Sequence, residues 1–178
     1  MKILILGNIG AGKTTIAKKI QSEFSFNLCT IDDCRRLYGD GTVPGEYLAL
    51  YHFLQSCLKK GDTILEFTGA GCHKFAIKKA LEDSTDLVLV IFVQVAIPIC
   101  QKRIAPRQWD IPIPSWDFNL KKHLNFVEEE LNSDYEKEFW AASDRFTAIM
   151  GNNEHENDLE RIVKLIIAEI NEIKSREK

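Results

Sequence analysis

The sequence predicts a three-layer α/β domain built around a parallel sheet, and three observations support this prediction. Short apolar runs rich in β-branched residues alternate along the chain with segments of helical periodicity. The chain has 178 residues, and no low-complexity tract or Gly/Ser-rich linker divides it. Apolar residues make up 45% of it and charged residues 28%, as in soluble globular proteins. We therefore expect one domain over residues 1–178.

The predicted strands are apolar runs that are too short to be buried helices. The first run stops at Gly7, and the fourth run, residues 87–93, is apolar at every position. A run of that kind belongs inside a sheet that is covered on both faces. The five predicted strands are residues 2–6, 26–31, 63–67, 87–93 and 146–150. Because helical segments connect them, we expect these strands to run parallel.

Between the predicted strands, apolar residues recur every three or four positions, which indicates amphipathic helices. Pro44 opens one of these helices, which continues to Gly61. A single long helix is expected where one apolar stripe runs from Leu120 to Phe139. The predicted helices cover residues 13–24, 44–61, 73–81, 120–139 and 159–173.

The turn between the first strand and the first helix has a sequence suited to binding phosphate. Residues 7–14 fit the pattern G-x-x-x-x-G-K-[ST] at every fixed position. Glycines in such a turn let backbone N–H groups approach anionic oxygens, and the positive end of the next helix points to the same place. We expect Lys13 to reach the β- and γ-phosphates of a nucleotide and Thr14 to ligate Mg²⁺. The expected nucleotide-binding residues are Gly7, Asn8, Ile9, Gly10, Ala11, Gly12, Lys13, Thr14 and Thr15.

This turn resembles the phosphate loop of the P-loop NTPases, and the short chain is similar to their branch of small nucleotide, shikimate and gluconate kinases. The resemblance implies the strand order 2-3-1-4-5 and a short lid, here at about residues 101–116, that closes over the phosphates. It also implies an ATP donor and Mg²⁺. ATP is favoured over GTP because residues 151–154 read GNNE, where a GTPase would carry its N-K-x-D motif.

The second predicted strand ends in Asp32, Asp33 and Arg35, which are candidates for the acceptor side of the site. Because the carboxyl ends of parallel strands face the ligand crevice, Asp32 should lie near the γ-phosphate. A carboxylate there can orient an acceptor hydroxyl and take its proton, and a guanidinium can bind an anion. The Asp-Asp-x-Arg order is similar to the acceptor motif of polynucleotide kinases, and a comparable aspartate occurs in zeta-toxin-like and shikimate kinases. This resemblance implies that Asp32 is the base and Arg35 the acceptor or phosphate clamp. Alternatively, either aspartate could cap the next helix.

Three further residues are candidates for the chemistry of phosphate transfer. Glu66 is the only carboxylate of the third predicted strand, and it could act as an outer magnesium ligand or accept a backbone N–H. Arg103 and Arg107 are four positions apart, so a helix would place them on one face. They resemble the lid arginines of the small kinases, and a solvated basic patch is the alternative.

The charge, the cysteines and the length of the apolar runs restrict the partners that we expect. The net charge is −3, which disfavours a nucleic acid as partner. No apolar run approaches the roughly 18 residues of a membrane span. The five cysteines contain no C-x-x-C pair, which is typical of reduced thiols in a cytoplasmic protein.

The sequence therefore predicts an ATP- and Mg²⁺-dependent kinase. It would move the γ-phosphate to a hydroxyl or phosphate group of a small molecule or nucleotide. Two alternatives remain open: a nucleotide-dependent binding or regulatory ATPase module without an acceptor, and a kinase of polynucleotide ends.

Overall fold

A five-stranded parallel sheet with the order β2-β3-β1-β4-β5 forms the centre of the protein. The structure is a computed structural model that describes residues 1–108, 110–114, 119–155 and 157–176. The strands are β1 (Lys2–Gly7), β2 (Asn27–Thr30), β3 (Thr63–Glu66), β4 (Val88–Gln94) and β5 (Phe146–Asn152). The predicted fold class and strand order are confirmed. Within the predicted lid, positions 109, 115 and 116 lie outside the described residues.

Helices connect the strands and cover both faces of the sheet. They are α1 (Lys13–Phe24), α2 (Ile31–Tyr38), α3 (Val43–Leu58), α4 (His73–Asp83), α5 (Ile97–Ile104), α6 (Leu120–Asn132), α7 (Asp134–Ala141) and α8 (Asp158–Arg176). In the part of the chain that the structure describes, no helix is both long enough and apolar enough to cross a bilayer.

The central strand β1 divides the hydrophobic core into two halves, because its side chains alternate between the faces of the sheet. Ile3 and Ile5 pack into the half that α1 and α8 cover. Leu4 and Leu6 pack into the half that includes side chains of α3, α4 and α7. All four side chains are fully buried. Helices therefore pack on both faces of the sheet, which gives the three layers of the fold.

The single long helix predicted over residues 120–139 is wrong, because the chain breaks there into α6 and α7. Ser133 separates the two helices with an extended backbone (φ −68°, ψ 141°), and its Oγ accepts a hydrogen bond from the Glu136 N–H at 3.2 Å. A serine in this position caps the second helix. Tyr135, which the predicted apolar stripe of residues 120–139 includes, is 63% exposed.

Helix α2 is capped by Thr30, so the alternative of an aspartate cap is wrong. The Thr30 hydroxyl accepts a hydrogen bond from the Asp33 N–H at 2.9 Å. Asp32 and Asp33 instead lie in the first turn, where a negative charge is favourable next to the positive end of the helix dipole. This cap leaves both carboxylates available for other contacts.

Candidate active site

A cavity of about 470 Å³ opens at the carboxyl edge of the sheet, where the ends of β1, β2 and β3 meet. The sheet register places Glu66 beside both Ile5 and Thr30. We refer to residues 7–14 as the phosphate loop, after the family motif that they resemble. This loop forms one side of the cavity, and α2 with the segment after β3 forms the other. The predicted residues that line it are Ile9, Gly10, Gly12, Lys13, Thr14, Thr15, Asp32, Arg35, Glu66 and Arg107. Gly7, Asn8, Ala11 and Arg103 are not among the residues that line the cavity.

Gly10 and Gly12 of the phosphate loop have a backbone conformation that other residues rarely adopt. Gly10 and Gly12 have φ values of +83° and +95°. A Cβ on Gly10 would lie 2.8 Å from the Cys100 carbonyl oxygen, and a Cβ on Gly12 would lie 2.5 Å from Asn153 Nδ2. Gly12 is also the N-cap of α1 and offers no side chain to the first N–H groups of the helix. The first N–H groups of a helix without a side-chain cap can act as donors for an anion.

Side chains from distant parts of the chain hold this loop in place. Asn8 Nδ2 donates to the Leu124 carbonyl at 2.7 Å, and Asn153 Nδ2 donates to the Ala11 carbonyl at 2.7 Å. Arg103 donates to the Asn153 carbonyl at 2.9 Å. Asn8 therefore contributes to the loop as a structural brace, with its side chain directed to α6.

Lys13, Thr14 and Glu66 form a polar group at the base of the cavity, in which Lys13 and Glu66 are buried and Thr14 is exposed. Lys13 Nζ donates to the Asn8 carbonyl at 3.0 Å and lies 3.9 Å from Glu66 Oε1. The Thr14 hydroxyl donates to the same Glu66 oxygen at 3.0 Å. The second oxygen of Glu66 is buried and has no hydrogen-bond partner among the described residues. Burial raises the pKa of Glu66, although Lys13 and Thr14 oppose this rise.

These residues fit a magnesium ion that is bound together with nucleotide phosphates. Mg²⁺ takes oxygen ligands, keeps several waters and commonly uses one or two carboxylates beside substrate phosphates. The Thr14 hydroxyl and the unpartnered oxygen of Glu66 supply this chemistry. No cluster of three acidic, histidine or cysteine side chains that could hold a metal alone occurs within the described ranges. A magnesium site here would therefore depend on the phosphates of the nucleotide.

The two neighbouring aspartates have different surroundings. Asp32 lines the cavity, and its side chain is 40% exposed. Asp33 lies outside the cavity lining, and its carboxylate pairs with Arg36 at 2.9 Å. Arg36 in turn pairs with Asp110 at 3.2 Å. Only Asp32 of the two carboxylates faces the space in front of the phosphate loop.

Arg35 is held by two carboxylates in the wall of the cavity. Its Nε and Nη2 donate to the two oxygens of Glu46 at 2.9 and 2.6 Å, and its Nη1 donates to Asp32 at 3.0 Å. His73 Nε2 lies 2.9 Å from the Glu46 oxygen that accepts Nη2. Burial alone would raise the pKa of Glu46, but hydrogen bonds from His73 and Arg35 lower it to about 2. Arg35 therefore holds the carboxylates of Asp32 and Glu46 in fixed orientations through these hydrogen bonds, and the two carboxylates balance its charge.

The two predicted lid arginines lie on different structural elements, so the shared helix face predicted for them is wrong. Arg103 is on α5, and its side chain contacts the phosphate loop and the Asn153 carbonyl. Helix α5 ends at Ile104, and the Arg107 N–H closes a turn onto the Ile104 carbonyl at 2.8 Å. Arg107 thus lies beyond the helix, where it lines the cavity.

Several residues that line the cavity could not be assigned to it from the sequence. Glu46, His73, His123 and Phe126 come from three helices that are distant in the chain from the phosphate loop. No motif links them, since only the folded sheet brings these helices to one edge. Burial lowers the pKa of His123, and the positive charges of Arg35 and Lys13 lower it further. His123 is therefore predominantly neutral at pH 7.

Solved structures with this fold include several small-molecule kinases. The chain is 16% identical to a shikimate kinase from Bacteroides thetaiotaomicron, with a TM-score of 0.62 and coverage of 96% of this chain and 98% of that one. It is 14% identical to a gluconokinase from Sinorhizobium meliloti 1021 (TM-score 0.63, coverage 98% and 94%). It is 16% identical to a deoxyadenosine kinase from M. mycoides (TM-score 0.60, coverage 97% and 100%). No protein-family model and no curated protein sequence matches the chain.

The chain therefore has the fold of the small P-loop kinases over nearly its whole length. Identities of this size establish the fold, and they leave the acceptor to be argued from the cavity itself.

Proposed function

We propose that this protein is an ATP- and Mg²⁺-dependent kinase that transfers the γ-phosphate to a hydroxyl group of a small molecule. The observation that carries the proposal is that Lys13, Thr14, Asp32 and Glu66 line one cavity. A loop that binds phosphate thus faces a carboxylate that can accept a proton. Kinase activity needs both parts in the same space, because phosphate transfer depends on positioning and on charge stabilisation.

The donor side of the cavity consists of the phosphate loop and the start of α1. The open N–H groups of the first helical turn and the helix dipole favour an anion at this point. Among the residues that the structure describes, the partners of Lys13 are the Asn8 carbonyl and a Glu66 oxygen 3.9 Å away, so its ammonium can turn to the β- and γ-phosphates. ATP would therefore lie with its phosphates along the loop and its γ-phosphate towards Asp32.

Thr14 and Glu66 would hold Mg²⁺ next to the bound phosphates. When bound, the ion neutralises negative charge on the β- and γ-phosphates. The buried oxygen of Glu66 would gain the partner that it lacks among the described residues.

The acceptor side is formed by Asp32 and the residues around it. Asp32 can accept the proton of a hydroxyl as that oxygen attacks the γ-phosphate. Arg35 fixes one Asp32 oxygen through the 3.0 Å hydrogen bond, which leaves the other oxygen for the acceptor. Arg107 also lines the cavity, where its positive charge would offset charge on the transferred phosphate. We assign the roles of base to Asp32, of positioning residue to Arg35 and of phosphate contact to Arg107.

The proposal is tested by incubating the protein with [γ-³²P]ATP, Mg²⁺ and a panel of sugars, polyols, nucleosides, nucleotides and oligonucleotides, with Lys13→Ala as the control. We expect label to appear in at least one acceptor with the native protein, and at least about 100-fold less with the variant. Nucleotide binding without any labelled acceptor would contradict the kinase and favour a nucleotide-dependent binding module. Label on oligonucleotide ends alone would favour a polynucleotide kinase.

A further inference from the structure

Two cysteines meet at the junction of β2 and α2, beside the candidate acceptor site. Cys29 is in β2 and Cys34 is in α2, and their sulfur atoms lie 3.6 Å apart. The residues between them include Thr30, which ends β2 and caps α2, and Asp32. Because five positions separate the two cysteines, the short distance between their sulfur atoms requires the chain to fold back between them.

We propose that Cys29 and Cys34 are a site of reversible oxidation, at which hydroperoxides form an intramolecular disulfide bond. A disulfide has a sulfur–sulfur length of about 2.05 Å, so the two sulfur atoms must approach each other by about 1.5 Å. The proposal requires that rotation of the two cysteine side chains about their Cα–Cβ bonds supplies this movement.

The two thiols have different roles in this reaction. Cys29 is half-buried and Cys34 is buried, so a small peroxide reaches Cys29 first. A hydrogen bond from Cys34 lowers the pKa of Cys29 to about 7; burial and the charge of Asp33 oppose this shift, and Ser56 contributes to it. The same hydrogen bond, together with burial, raises the pKa of Cys34. Cys29 is thus the thiolate that reacts, and Cys34 remains a protonated thiol beside it.

The reaction proceeds in two balanced steps. The Cys29 thiolate attacks one oxygen of hydrogen peroxide, so that an S–O bond forms, the O–O bond breaks and hydroxide leaves. The Cys34 sulfur then attacks the sulfenic sulfur of Cys29, an S–S bond forms, and the hydroxyl group leaves as water with the Cys34 proton. The proton that Cys29 released neutralises the hydroxide. Two thiols and one peroxide therefore yield one disulfide and two waters, and a thiol reductant reverses the change.

The remaining cysteines lack this arrangement. Cys57 and Cys100 are fully buried, and burial raises the pKa of both thiols, that of Cys57 to about 12. Cys72 is exposed, and the polar contact of its sulfur is His73 Nδ1 at 3.8 Å. Among the described residues, the pair of Cys29 and Cys34 is the one in which two sulfur atoms lie within hydrogen-bond distance.

Peptide mapping tests the proposal directly. Trypsin cleaves after Lys19 and Arg35, so that residues 20–35 form one peptide that contains both cysteines. The full-length protein is reduced, treated with hydrogen peroxide, alkylated with iodoacetamide and digested. We expect this peptide to be unalkylated and lighter by two hydrogen atoms than its reduced form, and to recover two alkylation sites after treatment with a reductant.

Two variants separate this site from other thiol chemistry. In Cys34→Ser, Cys29 has no partner, so we expect its sulfenic acid to persist and to react with dimedone. In Cys72→Ser, the oxidation of peptide 20–35 should proceed at the native rate. The proposal is overturned if peptide 20–35 keeps two free thiols while Cys72 is oxidised. It is also overturned if peptide 20–35 becomes linked to the peptide that contains Cys57, or if Cys29 proceeds to sulfinic acid in the native protein.

Discussion

Arg35 and Glu46 form a forked ion pair that joins α2 to α3, with both oxygens of the carboxylate accepting from the guanidinium. The Glu46 side chain is 12% exposed and that of Arg35 is 14% exposed, so the pair is largely shielded from water. His73 extends the pair to the start of α4. The three helices that form the wall of the acceptor side are therefore linked through one carboxylate.

Glu46→Gln should destabilise the protein, and the loss should depend on pH. The pKa of Glu46 is about 2 in the folded protein and 4.5 when unperturbed, so the ionised carboxylate stabilises the fold at every pH above 4.5. That contribution is lost as the pH falls from about 4.5 towards 2. We expect a loss on the order of 2 kcal/mol at pH 7 that shrinks below pH 4.5.

Urea denaturation of the native protein and of this variant between pH 7 and pH 3 measures the effect. Glu129→Gln is the matched control, since Glu129 is exposed and should change the unfolding free energy little at any pH. A difference between native protein and Glu46→Gln that stays constant down to pH 3 would show that the ion pair does not lower the pKa of Glu46.

Asp32→Asn should strongly slow phosphate transfer and leave ATP binding intact. The amide keeps the shape of the side chain and removes the proton acceptor, so we expect turnover to fall by about 10² to 10⁴. Asp33→Asn is the matched control, because this neighbouring carboxylate is 58% exposed and pairs with Arg36 away from the cavity. Turnover is measured with the acceptor found in the panel, and ATP binding by calorimetry. Equal losses of turnover in the two variants would contradict the role of Asp32.

Glu66→Gln should stabilise the protein without nucleotide and weaken its binding of Mg²⁺-nucleotide. Burial raises the pKa of Glu66, so the folded state disfavours the ionised form, and this cost grows as the pH rises above 4.5. Glutamine removes the buried charge, and we expect a gain of about 1 kcal/mol at pH 7 that disappears near pH 4.

The nucleotide effect of Glu66→Gln is measured by titrating ADP with and without Mg²⁺. We expect affinity to fall about 10- to 100-fold with the metal and to change little without it. A variant with native affinity in the presence of Mg²⁺ would show that Glu66 is a structural residue of the core edge.

Gly10→Ala and Gly41→Ala separate backbone strain from crowding in the phosphate loop. Both glycines have a left-handed backbone, with φ of +83° and +80°. A Cβ on Gly41 meets no atom within 4 Å, whereas one on Gly10 lies 2.8 Å from the Cys100 carbonyl oxygen. We expect a loss of about 1 kcal/mol for Gly41→Ala and a larger loss, with failure of nucleotide binding, for Gly10→Ala. Equal unfolding free energies for the two variants would contradict the observed packing of the loop.

The parts of the site that the sequence predicts are those that lie close together in the chain. The phosphate loop and the start of α1 span a few consecutive residues, so the identities of Gly10, Gly12 and Lys13 indicate both conformation and ligand. Asp32 could be predicted because its position at a strand end implies a place at the sheet edge.

The acceptor side depends on contacts between residues that are distant in the chain. Glu46 and His73 are separated by 27 positions, yet they lie 2.9 Å apart. Neither residue has a local pattern that distinguishes it from an ordinary residue in the first turn of a helix. Likewise, periodicity alone did not reveal the break at Ser133, because the apolar spacing continues across the two helices while the backbone turns.

Calorimetric titration of the protein with ATP and Mg²⁺, with Lys13→Ala in parallel, tests the central claim most directly. If residues 7–14 bind the triphosphate, the native protein will give a saturable heat of binding, and the variant will bind at least about 10-fold more weakly, because it lacks the ammonium that contacts the phosphates. The absence of binding heat in the native protein, or equal affinity in the two proteins, would contradict the claim that this loop holds a nucleotide.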